Sequence, residues 1–131
     1  MPGSILIVED DADTAVLLRE VLRKRGYEVS SVDSARGCLE WLETHRVDLV
    51  ISDVHMVGMD GIQLCERLRD RRDLIVIVMT AAVTVDTAAA ACKAGAFDFV
   101  AKPVRMAALC GAVERAFHHL GARRAQSQAA V

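Results

Sequence analysis

A chain of 131 residues accommodates one domain with a substantial core, and 53% hydrophobic against 26% charged residues excludes a disordered or fibrous protein. With 16 basic and 18 acidic side chains the formal net charge is −2, so composition offers no footprint for direct nucleic-acid binding or an anionic membrane. No apolar run approaches the ~20 residues that span a bilayer, and the start MPGSILIVEDD lacks the basic region and cleavage site of a signal peptide, so a cytoplasmic location is expected.

In chain order, SILIV (4–8) is a β-branched apolar run that stops at Glu9, Asp10 and Asp11 and reads as a buried strand. Asp11 has the character of a helix N-cap and Asp13 that of a first-turn carboxylate. They open ADTAVLLREVLRKRG, where Leu17, Leu18, Val21 and Leu22 recur at helical spacing and Gly26 stands at a left-handed C-terminal cap. YEVSSV (27–32) alternates weakly, as an edge strand does. SARGCLEWLETH follows with Ser34 as N-cap and with Leu39 and Leu42 turned inward. VDLVIS (47–52) is a second continuous apolar run, and it meets Asp53.

Asp60 with Gln63 three residues on forms a capping-box variant at the head of GIQLCERLRDRR. LIVIVM (74–79) leads to Thr80, and TVDTAAAACKAG starts at Thr84 and ends at Gly95. FDFVA (97–101) leads to Lys102 and Pro103. RMAALCGAVERAFHHL then places Leu109, Val113, Phe117 and Leu120 on one face, with His118 and His119 near the helix C-terminus. GARRAQSQAAV (121–131) loses the apolar period and reads as a helix running out into a tail or linker. The four cysteines, Cys38, Cys65, Cys92 and Cys110, show no CxxC or metal-finger spacing, so reduced, buried thiols are expected. Trp41, Met56 and Met59 read as local packing.

Strands alternate with helices throughout, and continuous rather than alternating apolar runs mark strands covered on both faces of a parallel sheet. Right-handed crossovers then give a flavodoxin-like doubly wound (βα)5 sandwich in strand order 2-1-3-4-5, with its switch point between strands 1 and 3. Ligands of such sheets bind beyond the carboxyl ends of the strands at that point. Glu9, Asp10 and Asp11 immediately after strand 1 and Asp53 immediately after strand 3 bring three or more carboxylates there. Two carboxylates ~4 Å apart repel by about 4 kcal/mol at an effective dielectric of 20, so the cluster calls for protonation or a cation. Oxygen ligands with open positions suit magnesium. Thr80 adds a hydroxyl and Lys102 an ammonium at neighbouring strand ends. Together they make a phosphoryl-transfer site in which Asp53 attacks in line and becomes an aspartyl phosphate.

At this point the chain resembles a known family. Glu9-Asp10 after ILIV, Asp53 before VHMVGMDG, Thr80 after VIVM and Lys102-Pro103 after FDFVA resemble, in order, the receiver domain of bacterial two-component response regulators. The resemblance covers about Ser4 to Leu120 and implies a receiver over 1–122 and a tail or start of a linker over 123–131. It implies Asp53 as phosphoacceptor, Mg2+ held by Glu9, Asp10, Asp53 and the backbone carbonyl of His55, and Lys102 as phosphate binder before a cis proline. Thr80 and Phe99 would be the switch pair, acting on the surface of the fourth helix, fifth strand and fifth helix. A histidine kinase or phosphotransfer protein would donate the phosphoryl group. An output domain in a longer parent chain and a homodimer on phosphorylation are implied partners, with no direct contact to nucleic acid or membrane. Enzymatic turnover is not expected beyond self-catalysed phosphorylation and autodephosphorylation. Val57 stands where proline is common, Phe99 where tyrosine is frequent, and His55 and Ala82 at positions that tune autodephosphorylation.

Three other readings compete. A haloacid-dehalogenase-type phosphatase would use the DxD spacing of Asp11 and Asp13 but leaves Asp53 unexplained. A flavodoxin-like cofactor carrier would need a Ser/Thr/Gly-rich phosphate loop where this chain is acidic. A receiver-shaped module could also act by protein binding alone, without phosphorylation, although Glu9, Asp10, Asp53, Thr80 and Lys102 are all present.

Overall fold

The computed structural model describes residues 3–129. It contains β1 (Ser4–Val8), α1 (Ala12–Lys24), β2 (Glu28–Val32), α2 (Ala35–Thr44), β3 (Leu49–Asp53), α3 (Gly61–Leu68), β4 (Ile75–Thr80), α4 (Val85–Ala94), β5 (Asp98–Ala101) and α5 (Met106–Ala129). The strands form one parallel sheet in the order β2-β1-β3-β4-β5, the flavodoxin-like arrangement expected.

The period of 2 along each strand sorts the apolar residues between two layers. Ile5, Ile7, Leu49, Ile51, Ile77 and Met79 point to one face, where they pack with Leu18 and Leu22 of α1 and Leu109, Val113 and Leu120 of α5. Leu6, Val8, Val50, Val76 and Val78 point to the other, against α2, α3 and α4 through Cys38, Leu42, Leu64, Leu68, Ala91 and Ala94. Every residue of β3 and β4 is buried, which is why those runs are continuous rather than alternating. Burying one such Leu or Ile stabilises the fold by roughly 1.5–3 kcal/mol, so the central strands are the rigid platform from which the loops project.

The caps read from the sequence are present. Asp11, Ser34, Asp60 and Thr84 each accept a backbone N–H at the head of their helices, and Asp60 with Gln63 closes a reciprocal capping box. Gly26 and Gly95 carry φ of 96° and 95°, left-handed values that favour glycine.

Several expectations are corrected. Asp53 is the last residue of β3 rather than the first beyond it, and β3 begins at Leu49, two residues later than the apolar run suggested. Leu17 is half exposed and Leu39 only partly buried. Cys38, Cys65 and Cys110 are buried thiols, but Cys92 is exposed because α4 buries only Ala91 and Ala94. His118 and His119 are not near the end of α5, because that helix continues to Ala129 without a break at residue 122. Arg124, on this continuation, donates to Asp48 Oδ1 at 2.7 Å and to the Asp73 carbonyl at 3.3 Å, contacts that the loss of apolar period did not foretell. Of the expected 1–122 domain and 123–131 tail, residues 1–2 and 130–131 lie outside the described residues.

Candidate functional site

The carboxyl ends of β1, β3, β4 and β5 bring the site together. Glu9 follows β1 and is held in line by its backbone N–H, which donates to Val32 O at 3.1 Å. Asp53 closes β3 opposite Met79 of β4, and Val54 N–H donates to Met79 O at 2.8 Å. Thr80 pairs with Ala101 across β4 and β5, and the Lys102 N–H donates to Thr80 O at 2.8 Å. The lysine stem is thereby turned over the sheet edge toward the acids. The Lys102–Pro103 peptide is cis, as the resemblance implies.

Oxygen atoms of Glu9, Asp10 and Asp53 all lie within 4.8 Å of one another. Glu9 and Asp53 are buried, at 2% and 5% exposure, whereas Asp10 is open to solvent. The Lys102 ammonium bridges the two buried acids, at 2.6 Å from Asp53 Oδ2 and 2.9 Å from Glu9 Oε1. Burial raises the Glu9 carboxyl above its ordinary range; repulsion from Asp53 adds to this, and the bond from Lys102 opposes it. For Lys102, burial works against the charged form, but the hydrogen bonds and attraction of Asp53 and Glu9 outweigh it and raise its pKa. The fit to a hard divalent cation is direct: three carboxylates converge, one faces solvent, and a single ammonium compensates only part of their charge.

Asp53 Oδ1 accepts the backbone N–H of His55 at 3.2 Å, and the His55 side chain is exposed. Asp11 stays outside the cluster as the cap of α1. Hydrogen bonds from Thr14 hold its carboxyl below the usual range. Thr80 is buried, and its Oγ1 accepts the Ala82 N–H at 3.0 Å; Phe99 lies on the outer face of β5, 36% exposed.

Two features of the site were not singled out from the sequence. Gly61, the first residue of α3, donates its N–H to Val54 O at 2.9 Å. A Cβ on Gly61 would lie 2.3 Å from the Asp53 carbonyl oxygen. The phosphoacceptor candidate is thus seated directly beneath the head of a helix. The signal was Gly61 immediately after the Asp60 cap, where a non-glycine residue is otherwise ordinary. The second feature is Glu9 as an anchor for Lys102, a pairing across 93 positions of sequence that only the topology reveals.

Comparison with known proteins agrees with this geometry. The family model for the response regulator receiver domain matches residues 5–114. The chain is 38% identical over 116 residues to the transcriptional regulatory protein ZraR of Escherichia coli (strain K12), covering 88% of this chain and 26% of that protein. It is 43% identical over 122 residues to the response regulator protein FleR of Pseudomonas aeruginosa, covering 92% and 25%. The signal receiver domain of a signal transduction histidine kinase from Syntrophus aciditrophicus superposes with a TM-score of 0.81 at 36% identity, covering 89% of this chain and 91% of that one. The chain spans about a quarter of the length of the two curated relatives. By the extent of the family match and these identities, the chain belongs to the receiver domains of two-component response regulators.

Proposed function

We propose that this chain is a phosphorylation-activated switch that accepts a phosphoryl group from a histidine kinase or phosphotransfer protein onto Asp53. The observation that carries this reading is the bridge of Lys102 between Asp53 and Glu9 beside Asp10. An Asp53 oxygen attacks phosphorus as the bond from phosphorus to the donor nitrogen breaks, and the departing imidazole takes up a proton. The Lys102 ammonium moves from the carboxylate to the phosphoryl oxygens, where it offsets the charge that Asp53 gains. Glu9, Asp10, Asp53 and the His55 carbonyl would hold Mg2+, which supplies charge neutralisation at the phosphoryl oxygens. Water later hydrolyses the acyl phosphate, and no further turnover is attributed to the chain.

Thr80 and Phe99 would carry the switch. In the unphosphorylated arrangement the Thr80 hydroxyl is engaged with Ala82 and Phe99 is turned outward. A phosphoryl group on Asp53 offers Thr80 a stronger, charged acceptor, and its move frees space for the ring of Phe99. Moving an equilibrium from 1:99 to 99:1 takes about 5.5 kcal/mol of differential interaction, within reach of one dianionic group with several charged partners. Helix α4 suits the moving part, since only Ala91 and Ala94 anchor it. The relatives' greater length supports a parent chain with an output domain read through the α4/β5/α5 surface, and a homodimer on phosphorylation is part of the same reading. No described helix is long and apolar enough to cross a membrane, which fits a cytoplasmic setting.

The test is intact mass after incubation with acetyl phosphate and magnesium. A gain of about 80 Da, one phosphoryl group, that is hydroxylamine-labile, needs magnesium and is lost in Asp53→Asn is the expected result. No adduct would favour a module that acts by protein binding alone, and an adduct retained in Asp53→Asn would place the acceptor elsewhere.

A further inference from the structure

The end of the sheet opposite the carboxylate cluster carries a concentration of arginines to which phosphoryl transfer gives no role. Two adjoining depressions share Asp73 there: one of about 360 Å³ is lined by Arg46 and Arg71, the other, of about 530 Å³, by Arg72, Arg123 and Arg124. They run along the amino-terminal ends of β3 and β4, roughly 16 Å from Asp53 at 3.3 Å per strand residue. Basic side chains commonly collect at helix C-termini, where the dipole favours them. That accounts for Arg46, next after the cap of α2, and for Arg71, whose N–H donates to Leu68 O at the end of α3, but not for Arg123 and Arg124, which precede the end of α5 at Ala129 by more than a turn and converge on the same loops.

Only Arg124 of the five is ion-paired among the described residues, to Asp48. Its second bond, to the Asp73 carbonyl, fixes α5 against the α3–β4 loop and gives the larger depression a defined wall. Glu43 and Asp73 also line the groove, and Asp48, outside it, pairs with Arg124, so five arginines stand against three carboxylates. A net positive, elongated groove with unpaired guanidinium forks remains.

We propose that this groove binds an extended acidic segment of a partner protein. Guanidinium groups match carboxylates in planar, two-bonded geometry, and several spaced along a groove favour a chain of carboxylates over one compact anion. A nucleotide fits poorly, because the one ring lining the groove is the His45 imidazole, which already stacks on Trp41 at 4.4 Å and 11°. This stacking also supplies the readout, since Trp41 is the only tryptophan in the chain.

The experiment titrates the full chain with an octaglutamate peptide and follows Trp41 fluorescence, with isothermal titration calorimetry as a probe-independent measure. Saturable binding that weakens with added salt is expected. Arg72→Glu/Arg123→Glu weakens it at least tenfold, while Arg36→Glu/Arg105→Glu, with the same change in net charge at other faces, binds within twofold of the wild type. Arg72→Gln/Arg123→Gln serves if charge reversal perturbs folding, which thermal melting reports. Equal weakening by both double variants would overturn the proposal as a general charge effect. No saturable peptide binding, or binding of inorganic tripolyphosphate in place of the peptide, would overturn it as well.

Discussion

Lys102 reaches Asp53 across 2.6 Å and holds Glu9 at 2.9 Å with the same ammonium. One cation therefore keeps two buried carboxylates compatible. Replacing it by methionine leaves both acids without their partner, a situation that destabilises buried pairs by 3–5 kcal/mol; the 24% exposure of the lysine side chain reduces this to about 1–3 kcal/mol. Lys102→Met should lower the urea midpoint at pH 7 without magnesium, and magnesium should restore more stability to the variant than to the wild type. Equal magnesium responses would show that the lysine and the cation do not answer the same charge.

Gly61→Ala tests how closely α3 supports Asp53. The added Cβ would stand 2.3 Å from the Asp53 carbonyl oxygen, and since that atom is backbone, α3 or the end of β3 must shift. Overpacking of this kind costs about 1–3 kcal/mol. The variant should melt at lower temperature and label more slowly with acetyl phosphate, whereas Gly121→Ala, where nothing lies within 4 Å, should do neither.

Much of this was legible in the sequence because the central strands are covered on both faces. Continuous runs such as Ile5–Val8 and Ile75–Met79 announce a parallel sheet, and its topology alone carries Glu9, Asp53, Thr80 and Lys102 to one edge. Ser34, Asp60 and Thr84 are caps whose chemistry is local and therefore readable. What escaped depends on distant partners. The helical residues beyond Leu120 have no apolar period, so the extent of α5 could not be read, yet Arg124 ties them to Asp48, 76 positions away. Gly61 escaped because its constraint is the carbonyl of Asp53, and Cys92 because the shallow seating of α4 is a property of packing.

Asp48 gives a pH dependence of known sign. Burial pushes its carboxyl up, but the bonds from Arg124 and from the Ser4 backbone and hydroxyl outweigh this and hold its pKa below the ordinary value. The folded state thus binds fewer protons than the unfolded one as pH falls past about 4, the unfolded carboxylate range. The stabilisation is fully present above that range and is lost as pH drops through the folded pKa. Asp48→Asn should cost about 1 kcal/mol at pH 7. Denaturation curves for variant and wild type should draw together as pH falls below about 4, the unfolded carboxylate range; a constant gap would assign the cost to something other than the charge.

The thiols should divide by burial. Burial pushes Cys38 up to about 12 and Cys65 to about 11, leaving almost no thiolate at pH 8, and Cys110 is shielded on the core-facing side of α5. Cys92 faces solvent. An aromatic disulfide reagent at pH 8 should release about one equivalent of thiolate quickly and the remainder only in denaturant. Cys92→Ser should abolish the fast phase; its persistence would mean that the core opens on the labelling timescale.

Thr80→Ala separates chemistry from switching. The substitution removes the acceptor for the Ala82 N–H, which is exposed and passes to water, so the stability cost is about 0.5–1 kcal/mol. Asp53, Lys102 and the acidic cluster are untouched, and labelling by acetyl phosphate should proceed within a few-fold of the wild-type rate. What should disappear is the response of α4. In the wild type, a phosphate mimic on Asp53 should change amide exchange across Val85–Ala94, because Thr80 leaves Ala82 and releases the loop that leads into that helix. In Thr80→Ala no hydroxyl can make the move, and exchange in α4 should match the unmodified protein, while Thr80→Ser, which keeps the hydroxyl, should restore the response. A wild-type-like change of α4 exchange in Thr80→Ala would show that the signal leaves Asp53 by another route.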